Sequence, residues 1–484
     1  RSDSPQRWPE WLVEQERNLK ERCEGECQVA PNAGEAHALP ADCADETASA
    51  NTEAAARRVS LSLSKEETEA LLGDANHAYG TRADELLLAA LALTLSDWTG
   101  GAVLVDVEED ARGKPDSRLG ARLDSQLDAR LDLSRTVGRF DVVYPLRLEA
   151  GGAAQIAETV KGVKECVRSA SPQGLSYELR RGGDERARRL PTPAQLKYRA
   201  IRAVPSSDSA TWRGEVLRLP PAEPQAQRPY LIEVKPGLVD GRLCVEWEYD
   251  AHVHRSATVE KLAAAFREHL KAVVEHCLTP GRRGYTPSDF PLAQLDQRQL
   301  DRLFSGAGHL EDLYPLAPMQ RFMAHRHRHH HVPGLYVIHM VTPLRNLHLN
   351  VEAFARAWAT VVARHAALRT SFVLDGLDPP LQAVWSQVSV PIEQHDWRGF
   401  DGDEQQRRIG EYVRAARRRG LDLSAAPQMK LTLFRTEEDT YEFVWIFNYM
   451  IQEGWSYPLI LKDFFACYDA YARDAEPALH EPGS

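Results

Sequence analysis

Short apolar runs of strand length alternate along this chain with longer amphipathic segments of helix length. The alternating pattern at 57–63 predicts a strand buried on one face. Ser64 follows it, and Glu67 three residues later completes a capping box, which predicts the start of a helix. A leucine-rich segment at 81–97 predicts a second helix, and the apolar run at 102–107 predicts a buried strand. This order is typical of a layered α/β structure.

The same changes of hydrophobic period continue to the C-terminus. In the first part we predict an amphipathic helix at 1–20, a loop at 21–56, a surface insertion at 114–131, helices at 153–169 and 257–277, and strands at 230–236 and 242–249 joined at Val239-Asp240-Gly241. Pro and Gly punctuate 279–310, which predicts a linker with a short helix at 296–304. The second part is predicted to contain strands at 335–343, 429–435 and 441–448, and helices at 350–366 and 458–473.

Composition excludes several classes of protein. The 484 residues suffice for two or three domains, and a formal net charge of −11 disfavours nucleic-acid binding, which needs a basic face. No apolar run approaches the ~20 residues that span a bilayer, so no membrane segment is predicted. The chain starts at Arg1 without a methionine or a signal peptide, which we interpret as a fragment of a longer cytoplasmic protein. The seven scattered cysteines, Cys23 and Cys27 included, indicate free thiols in a reducing compartment and predict no metal site.

A strand-to-helix turn near the C-terminus is the clearest candidate for chemistry. Residues 447–456 (Phe-Asn-Tyr-Met-Ile-Gln-Glu-Gly-Trp-Ser) resemble a loop of the form H-H-x-x-x-D-G-W-S in which both histidines are replaced. Residues 314–323 (Tyr-Pro-Leu-Ala-Pro-Met-Gln-Arg-Phe-Met) and 364–372 (Arg-His-Ala-Ala-Leu-Arg-Thr-Ser-Phe) resemble two motifs that precede this loop in the same family. In order and spacing, 311–484 resembles the N-terminal lobe of a condensation domain of a nonribosomal peptide synthetase.

The first part of the chain resembles the C-terminal part of an epimerization domain of the same kind of enzyme. Residues 132–140 (Asp-Leu-Ser-Arg-Thr-Val-Gly-Arg-Phe) are similar to the family's D-L-S-R-T-V-G-W-F motif. Residues 105–108 followed by Arg112 are similar to its V-D-x-E-G-H-G-R run, although Glu109-Asp110-Ala111 replaces Gly-His-Gly. Leu196-Lys197-Tyr198 stands where Phe-Asn-Tyr is expected.

The resemblance implies a fold, partners and a function. The fold is α/β, with two chloramphenicol acetyltransferase-like lobes, each a mixed sheet with flanking helices, joined by a linker. The expected parts are 1–278 from the epimerization domain, the linker at 279–310, and the condensation lobe at 311–484. The implied partners are peptidyl or aminoacyl carrier proteins, whose phosphopantetheine arms deliver thioesters, and neighbouring synthetase modules. No directly bound cofactor, nucleic acid or membrane is implied. We expect a cytoplasmic fragment at an epimerization/condensation junction in the biosynthesis of a peptide secondary metabolite.

The residues that would perform the chemistry depart from the family pattern. The second histidine of the loop handles the proton at the reacting centre, because imidazole titrates near neutral pH. Tyr449 stands at that position and Asn448 at the first histidine; a phenol, with a pKa of ~10, is a poor base at neutral pH. Glu453 replaces the loop's Asp, and Glu108 matches the second acid/base of epimerization. The implied structural residues of the site are Arg112, Arg369, Gly454, Trp455 and Ser456. We expect little activity from this chain alone.

Several alternatives stay open. The loop is either a strand-to-helix turn without catalytic function or a site that uses Tyr449 or positions a substrate. Glu108 is either an acid/base or a strand-end carboxylate facing solvent or an arginine. Five histidines at 325–331 form either a solvated loop, which we favour, or a metal site. The alternative function is a non-catalytic docking platform for carrier proteins or tailoring enzymes, and a third is a free-standing acyltransferase.

The order of the two parts also allows them to pack as one permuted domain. In that arrangement Glu453 would approach Arg112.

Overall fold

Two α/β units make up the chain in the computed structural model, which describes residues 36–43, 51–110, 141–151, 155–183, 194–203, 223–304, 310–330, 332, 334–345 and 348–479. Unit 1 comprises Arg1–Asp289 and Asp296–Gly306, and unit 2 comprises Phe290–Leu295 and Ala307–Ser484. The predicted pair of α/β units is confirmed. Within these described ranges, no helix combines the length and the apolar character needed to cross a membrane.

Unit 1 is built on a mixed sheet. Its strands are β1 (Ala56–Ser62), β2 (Val103–Asp110), β3 (Asp141–Leu148), β4 (Leu196–Arg199), β5 (Arg202–Ala203), β6 (Ile232–Val239) and β7 (Arg242–Asp250). Its helices are α1 (Lys65–Leu72), α2 (Ala83–Thr99), α3 (Ile156–Gly183), α4 (Ser256–Leu278) and α5 (Gln297–Phe304). The strand order is β1-β7-β6-β4-β2-β3, with β5 beside β6. The β2–β4 and β4–β6 pairs are parallel, whereas β1–β7, β7–β6 and β2–β3 are antiparallel.

Local sequence signals explain where helix α1 starts and why helix α2 is buried. The backbone N–H of Ser64 donates to Glu67 Oε2 at 2.8 Å and Ser64 Oγ accepts from the Glu67 N–H at 3.2 Å, so the predicted capping box is confirmed. Helix α2 is buried without interruption from Glu85 to Leu95, which its run of leucines and alanines permits. The apolar side chains of the strands join α2, α3 and α4 in one core.

Charged side chains alternate with the apolar ones along the same strands of unit 1. Arg58 Nε lies 2.9 Å from Glu248 Oε2, and Lys235 Nζ lies 3.2 Å from the same oxygen. Burial raises the pKa of Glu248, but Lys235, Arg228 and Arg58 together lower it below its usual value. Opposite charges on neighbouring strands therefore neutralise one another across this sheet.

The segment predicted as a linker is bonded to unit 1 along part of its length. Lys164 of α3 has a fully buried side chain, and its Nζ contacts both carboxylate oxygens of Asp289 at 2.8 and 2.7 Å. Burial lowers the pKa of Lys164, while the Asp289 carboxylate opposes that shift. Lys161 Nζ likewise lies 3.0 Å from Asp301 Oδ1 on α5, the predicted short helix. Charge pairs therefore bind Asp289 and Asp301 of the predicted linker to helix α3.

Unit 2 contains two smaller sheets. Its strands are β8 (Leu310–Pro315), β9 (Val337–Leu344), β10 (Thr370–Val373), β11 (Leu381–Trp385), β12 (Ile392–Asp396), β13 (Met429–Glu437) and β14 (Thr440–Asn448). Its helices are α6 (Pro318–His330), α7 (Val351–Arg364), α8 (Gly402–Arg419) and α9 (Tyr457–Tyr471). The small sheet has the order β10-β11-β8, and the larger has the order β12-β13-β14-β9 with a parallel β12–β13 pair.

Strand β14 is buried on both faces. Trp445 belongs to the core that includes α7 and α9, and its ring centroid lies 4.9 Å from that of Trp358. Val444 and Ile446 point the other way and pack with Phe434 in a separate cluster that includes residues of α8. Periodicity alone does not distinguish such a strand from a buried helix, whereas short length and aromatic content are typical of a strand.

Two local predictions need correction, and one strand was not predicted. The histidine-rich segment is not a loop: His325, His327, His329 and His330 are exposed residues of helix α6, because no helix breaker follows Pro318 until Pro333. His331 lies outside the described residues. Helix α3 continues past the predicted end at 169, through Pro172 to Gly183. Strand β3 was missed, although its side chains alternate strictly between partly and fully buried.

Removing the Asp289 carboxylate should destabilise unit 1, because it leaves the Lys164 ammonium buried without its counter-ion. We expect Asp289→Asn to lower the free energy of unfolding of unit 1 by about 3 kcal/mol. Asp301→Asn is the matched control: its carboxylate is partly exposed, so the loss should be about 1 kcal/mol or less. Urea denaturation with a hydrogen-exchange readout on unit 1 amides measures the free energy of unfolding of both variants. Equal losses in the two variants would contradict the role of Asp289 as the counter-ion of Lys164.

Candidate functional site

The loop at 449–456 connects the end of β14 to the start of α9. Asn448 is 2% exposed, and its backbone N–H donates to the Gln428 carbonyl at 3.0 Å. Its side-chain Oδ1 accepts the Met450 N–H at 2.9 Å, and its carbonyl accepts the Ile451 N–H at 3.2 Å. The amide at the first-histidine position is thus used to form the turn that follows it.

Gln320 of α6 bonds directly to this loop. Its Nε2 donates to the Met450 carbonyl at 3.0 Å, and its Oε1 accepts the Ala317 N–H at 2.8 Å. Gln320 and Gln382 of β11 also exchange side-chain hydrogen bonds of 3.2 and 3.1 Å. The motif at 314–323 therefore positions the loop at 447–456 through a glutamine.

The motif at 364–372 has two separate sets of contacts. Arg364 Nε and His365 Nε2 lie 2.9 and 3.0 Å from the same oxygen of Asp463 on α9. Arg369 is 6% exposed; its Nη1 lies 2.6 Å from Glu311 Oε2 and also donates to the Trp385 carbonyl. Arg369 thus bonds to strands of the small sheet.

Tyr449, at the second-histidine position, lies at the edge of a cavity. Its side chain is 40% exposed, and its backbone N–H donates to the Tyr336 carbonyl at 2.8 Å. The cavity has a volume of about 360 Å³ and is lined by Val332, Gly334, Leu335, Tyr336, Val337, Ile338, Arg417 and Tyr449. Burial and the neighbouring Tyr449 raise the pKa of Tyr457.

The rest of the loop is a turn with an exposed tip. The Ser456 N–H donates to the Glu453 carbonyl at 3.0 Å, and the Ser456 carbonyl accepts the Ile460 N–H at 3.1 Å. Glu453, Gly454 and Trp455 are exposed, Trp455 at 83%. By contrast, Gln452 is 6% exposed, and neither polar atom of its side chain has a hydrogen-bond partner among the described residues.

Glu108 belongs to unit 1, whereas the loop belongs to unit 2. It is 7% exposed on β2 and pairs with Lys197 and with Arg199, whose Nε lies 3.2 Å from Glu108 Oε1. The parallel register of β2 and β4 sets Glu108 beside Arg199. These contacts support the alternative in which Glu108 is a strand-end carboxylate facing an arginine. Arg112 lies outside the described residues.

Sequence reasoning did not single out four residues at or beside this loop: Gln320, Tyr336, Arg417 and Gln452. Gln320 lies within the motif at 314–323, so the sequence indicated that this segment was important but not that Gln320 binds the loop. Tyr336 has a φ of +65°, unusual for a residue other than glycine, and nothing in its local sequence required it. No group of three or more His, Cys, Asp or Glu residues that could hold a metal occurs in the part of the chain that the structure describes.

Comparisons with known proteins agree on one family. The family model described as "Condensation domain" matches residues 27–295 and again 310–482. A linear gramicidin synthase from Brevibacillus parabrevis is 36% identical over 445 residues, covering 89% of this chain and 6% of that protein. Chondramide synthase of Chondromyces crocatus is 30% identical over 485 residues, covering 89% of this chain and 12% of that protein. The chain therefore spans only a small part of the length of these relatives.

The epimerization domain from the third module of tyrocidine synthetase B superposes with a TM-score of 0.45 and 24% sequence identity. The match covers 57% of this chain and 60% of that one.

Replacing Gln320 should loosen the loop without unfolding unit 2. Gln320→Ala removes the donor to the Met450 carbonyl. We therefore expect the free energy of local opening of the loop to fall by about 1–3 kcal/mol. Because each 1.4 kcal/mol is a factor of ten, hydrogen exchange at the Met450 and Ile451 amides should rise by about five- to 150-fold.

Gln405→Ala is the matched control for this measurement. The Gln405 amide donates to the carbonyls of Trp397, Phe400 and Thr436, and so holds a different loop of the same unit. Replacing Gln405 should raise hydrogen exchange at the amides around 397–400 and leave exchange at the Met450 amide unchanged. A similar response at Met450 in both variants would contradict a specific role for Gln320.

Proposed function

The chain belongs to the condensation-domain family, and on that premise we propose that it is part of a nonribosomal peptide synthetase at an epimerization/condensation junction. The observation that carries the proposal is that one family model matches two successive stretches, 27–295 and 310–482. We assign 1–278 to the C-terminal part of an epimerization domain and 311–484 to the N-terminal lobe of a condensation domain. The segment at 279–310 connects them.

In this proposal the substrates are aminoacyl or peptidyl thioesters on carrier proteins. The phosphopantetheine arm belongs to the carrier and supplies the thioester; we propose no cofactor bound directly by this chain. The partners are carrier proteins and neighbouring synthetase modules.

We further propose that the loop positions a substrate and transfers protons poorly. The oxygen of the Asn448 amide is occupied by the Met450 N–H, and an amide does not titrate near neutral pH. Tyr449 reaches the cavity edge, but a phenol exchanges protons at neutral pH far less readily than an imidazole. Glu453 is exposed at the turn and has no ion-pair partner among the described side chains. We therefore expect little catalytic activity from this chain alone.

Restoring the histidines tests this proposal. In the parent synthetase, the combined change Asn448→His, Tyr449→His and Glu453→Asp should raise the rate of peptide-bond formation by about 10²–10⁴, the usual contribution of a positioned acid/base. Mass spectrometry of the carrier-bound product measures condensation, and α-proton exchange in D₂O measures epimerization.

Two controls separate the possible outcomes. Asn448→His alone lacks the second histidine and should give no gain, and Tyr449→Phe should leave the unaltered rate unchanged. A rate that falls in Tyr449→Phe would assign the chemistry to the phenol instead. No gain in the triple variant would contradict a site disarmed only at this loop.

A non-catalytic docking platform is the second candidate, and one observation favours it. Three large apolar side chains, at the start of α9 and along it, are exposed: Trp455 at 83%, Leu459 at 64% and Phe465 at 54%. Exposed apolar patches often mark protein-binding surfaces. We propose a carrier protein as the partner.

Trimming this surface tests the docking function. Trp455→Ala combined with Leu459→Ala should weaken binding of a pantetheine-loaded carrier protein by about tenfold or more, because buried tryptophans dominate interface energies. Val239→Ala, which trims an exposed apolar residue of unit 1, should change nothing. Calorimetry measures both, and unchanged affinity in the double variant would remove this candidate.

A further inference from the structure

The cavity beside Tyr449 depends on a close approach between two segments of unit 2. Gly334 has a φ of +69°, and a Cβ at that position would overlap the backbone carbonyl of Arg417 near the end of α8. Only glycine accepts this contact without displacement. Tyr336, two residues on, has a φ of +65° and accepts the Tyr449 N–H. Strained backbone that is held by its surroundings is common at binding sites.

The lining is mainly apolar, with a few polar groups. Val332, Leu335, Val337 and Ile338 supply aliphatic surface. The Tyr336 hydroxyl is buried and has no hydrogen-bond partner among the described residues.

Arg417 adds a cation to this cavity. It is exposed, and it forms no ion pair with any described residue. The arginines nearer the start of α8 differ, because Arg407 and Arg408 pair with Glu404. Partial desolvation and the nearby Arg417 cation lower the pKa of His339 on β9. The positive charge beside the cavity therefore is not neutralised within the described structure.

We propose that this cavity binds an apolar monocarboxylate, with its chain against the aliphatic lining and its carboxylate at Arg417. Water occupies about 30 Å³ per molecule in the liquid, so about 360 Å³ accommodates roughly a dozen non-hydrogen atoms. Guanidinium and carboxylate match in shape and can form paired hydrogen bonds. The site does not require the proposed function, since it would bind the free acid without a carrier protein.

Calorimetry with straight-chain acids below their micelle concentrations tests the proposal. Affinity should rise about fourfold per methylene from hexanoate to decanoate, as apolar burial predicts, and level off at dodecanoate once the cavity is full. Octanamide, the neutral counterpart of octanoate, should bind more weakly than octanoate.

Variants locate the binding site. Arg417→Gln should weaken octanoate two- to fivefold, the range for an exposed charge pair, and leave octanamide unchanged. Val332→Trp, at an exposed position of the lining, should fill the cavity and weaken every ligand more than tenfold. Arg418→Gln, exposed but outside the lining, is the matched control and should affect neither ligand.

Two results would overturn the proposal. Affinity that increases with chain length without levelling off, and is insensitive to Val332→Trp, would indicate detergent-like adsorption. Equal binding of octanoate and octanamide in the unaltered protein would remove the role of Arg417. Because the readout is binding of free acids, neither result bears on thioester chemistry at the loop.

Discussion

Unit 2 depends on the burial of β14 on both faces. Its aromatic side chains fill one core and its aliphatic side chains fill another. A shift of one residue in register would exchange the two sets, and neither core would accommodate the other. The register therefore fixes where the strand ends, and Asn448 occupies that end. The Asn448 side chain and carbonyl then accept the Met450 and Ile451 N–H groups that begin the loop at 449–456.

The hydrogen bonds that shape that loop involve its own backbone groups, with the side chains of Asn448 and Gln320 among their partners. The carbonyls of Asn448 and Met450, and the N–H groups of Tyr449, Met450 and Ile451, all have partners. The side chains of Tyr449, Glu453 and Trp455 contribute little to this bonding. The chemistry at these positions can therefore change while the turn between β14 and α9 keeps its shape.

Local signals in the sequence were sufficient for much of the fold. The Ser64–Glu67 capping box is four consecutive residues, and its interpretation was confirmed. The alternation in β3 was equally local and was overlooked. The bonds that build the site are different, because they join distant positions: Gln320 and Met450 are 130 residues apart, and Lys164 and Asp289 are 125 apart. No short stretch of sequence contains both members of either pair. The order of the motifs could therefore indicate the family but not these contacts.

The Lys164–Asp289 pair also affects how the chain can be divided for exchange between related proteins. Composition suggests a cut soon after α4, where Pro and Gly are frequent. Such a cut would separate a fully buried ammonium from its carboxylate, and Lys161 from its partner on α5. The assignment of Asp296–Gly306 to unit 1 and of Phe290–Leu295 to unit 2 means that no single junction separates the units. A hybrid that preserves unit 1 should retain the native chain through α5, with the recombination point placed beyond Phe304.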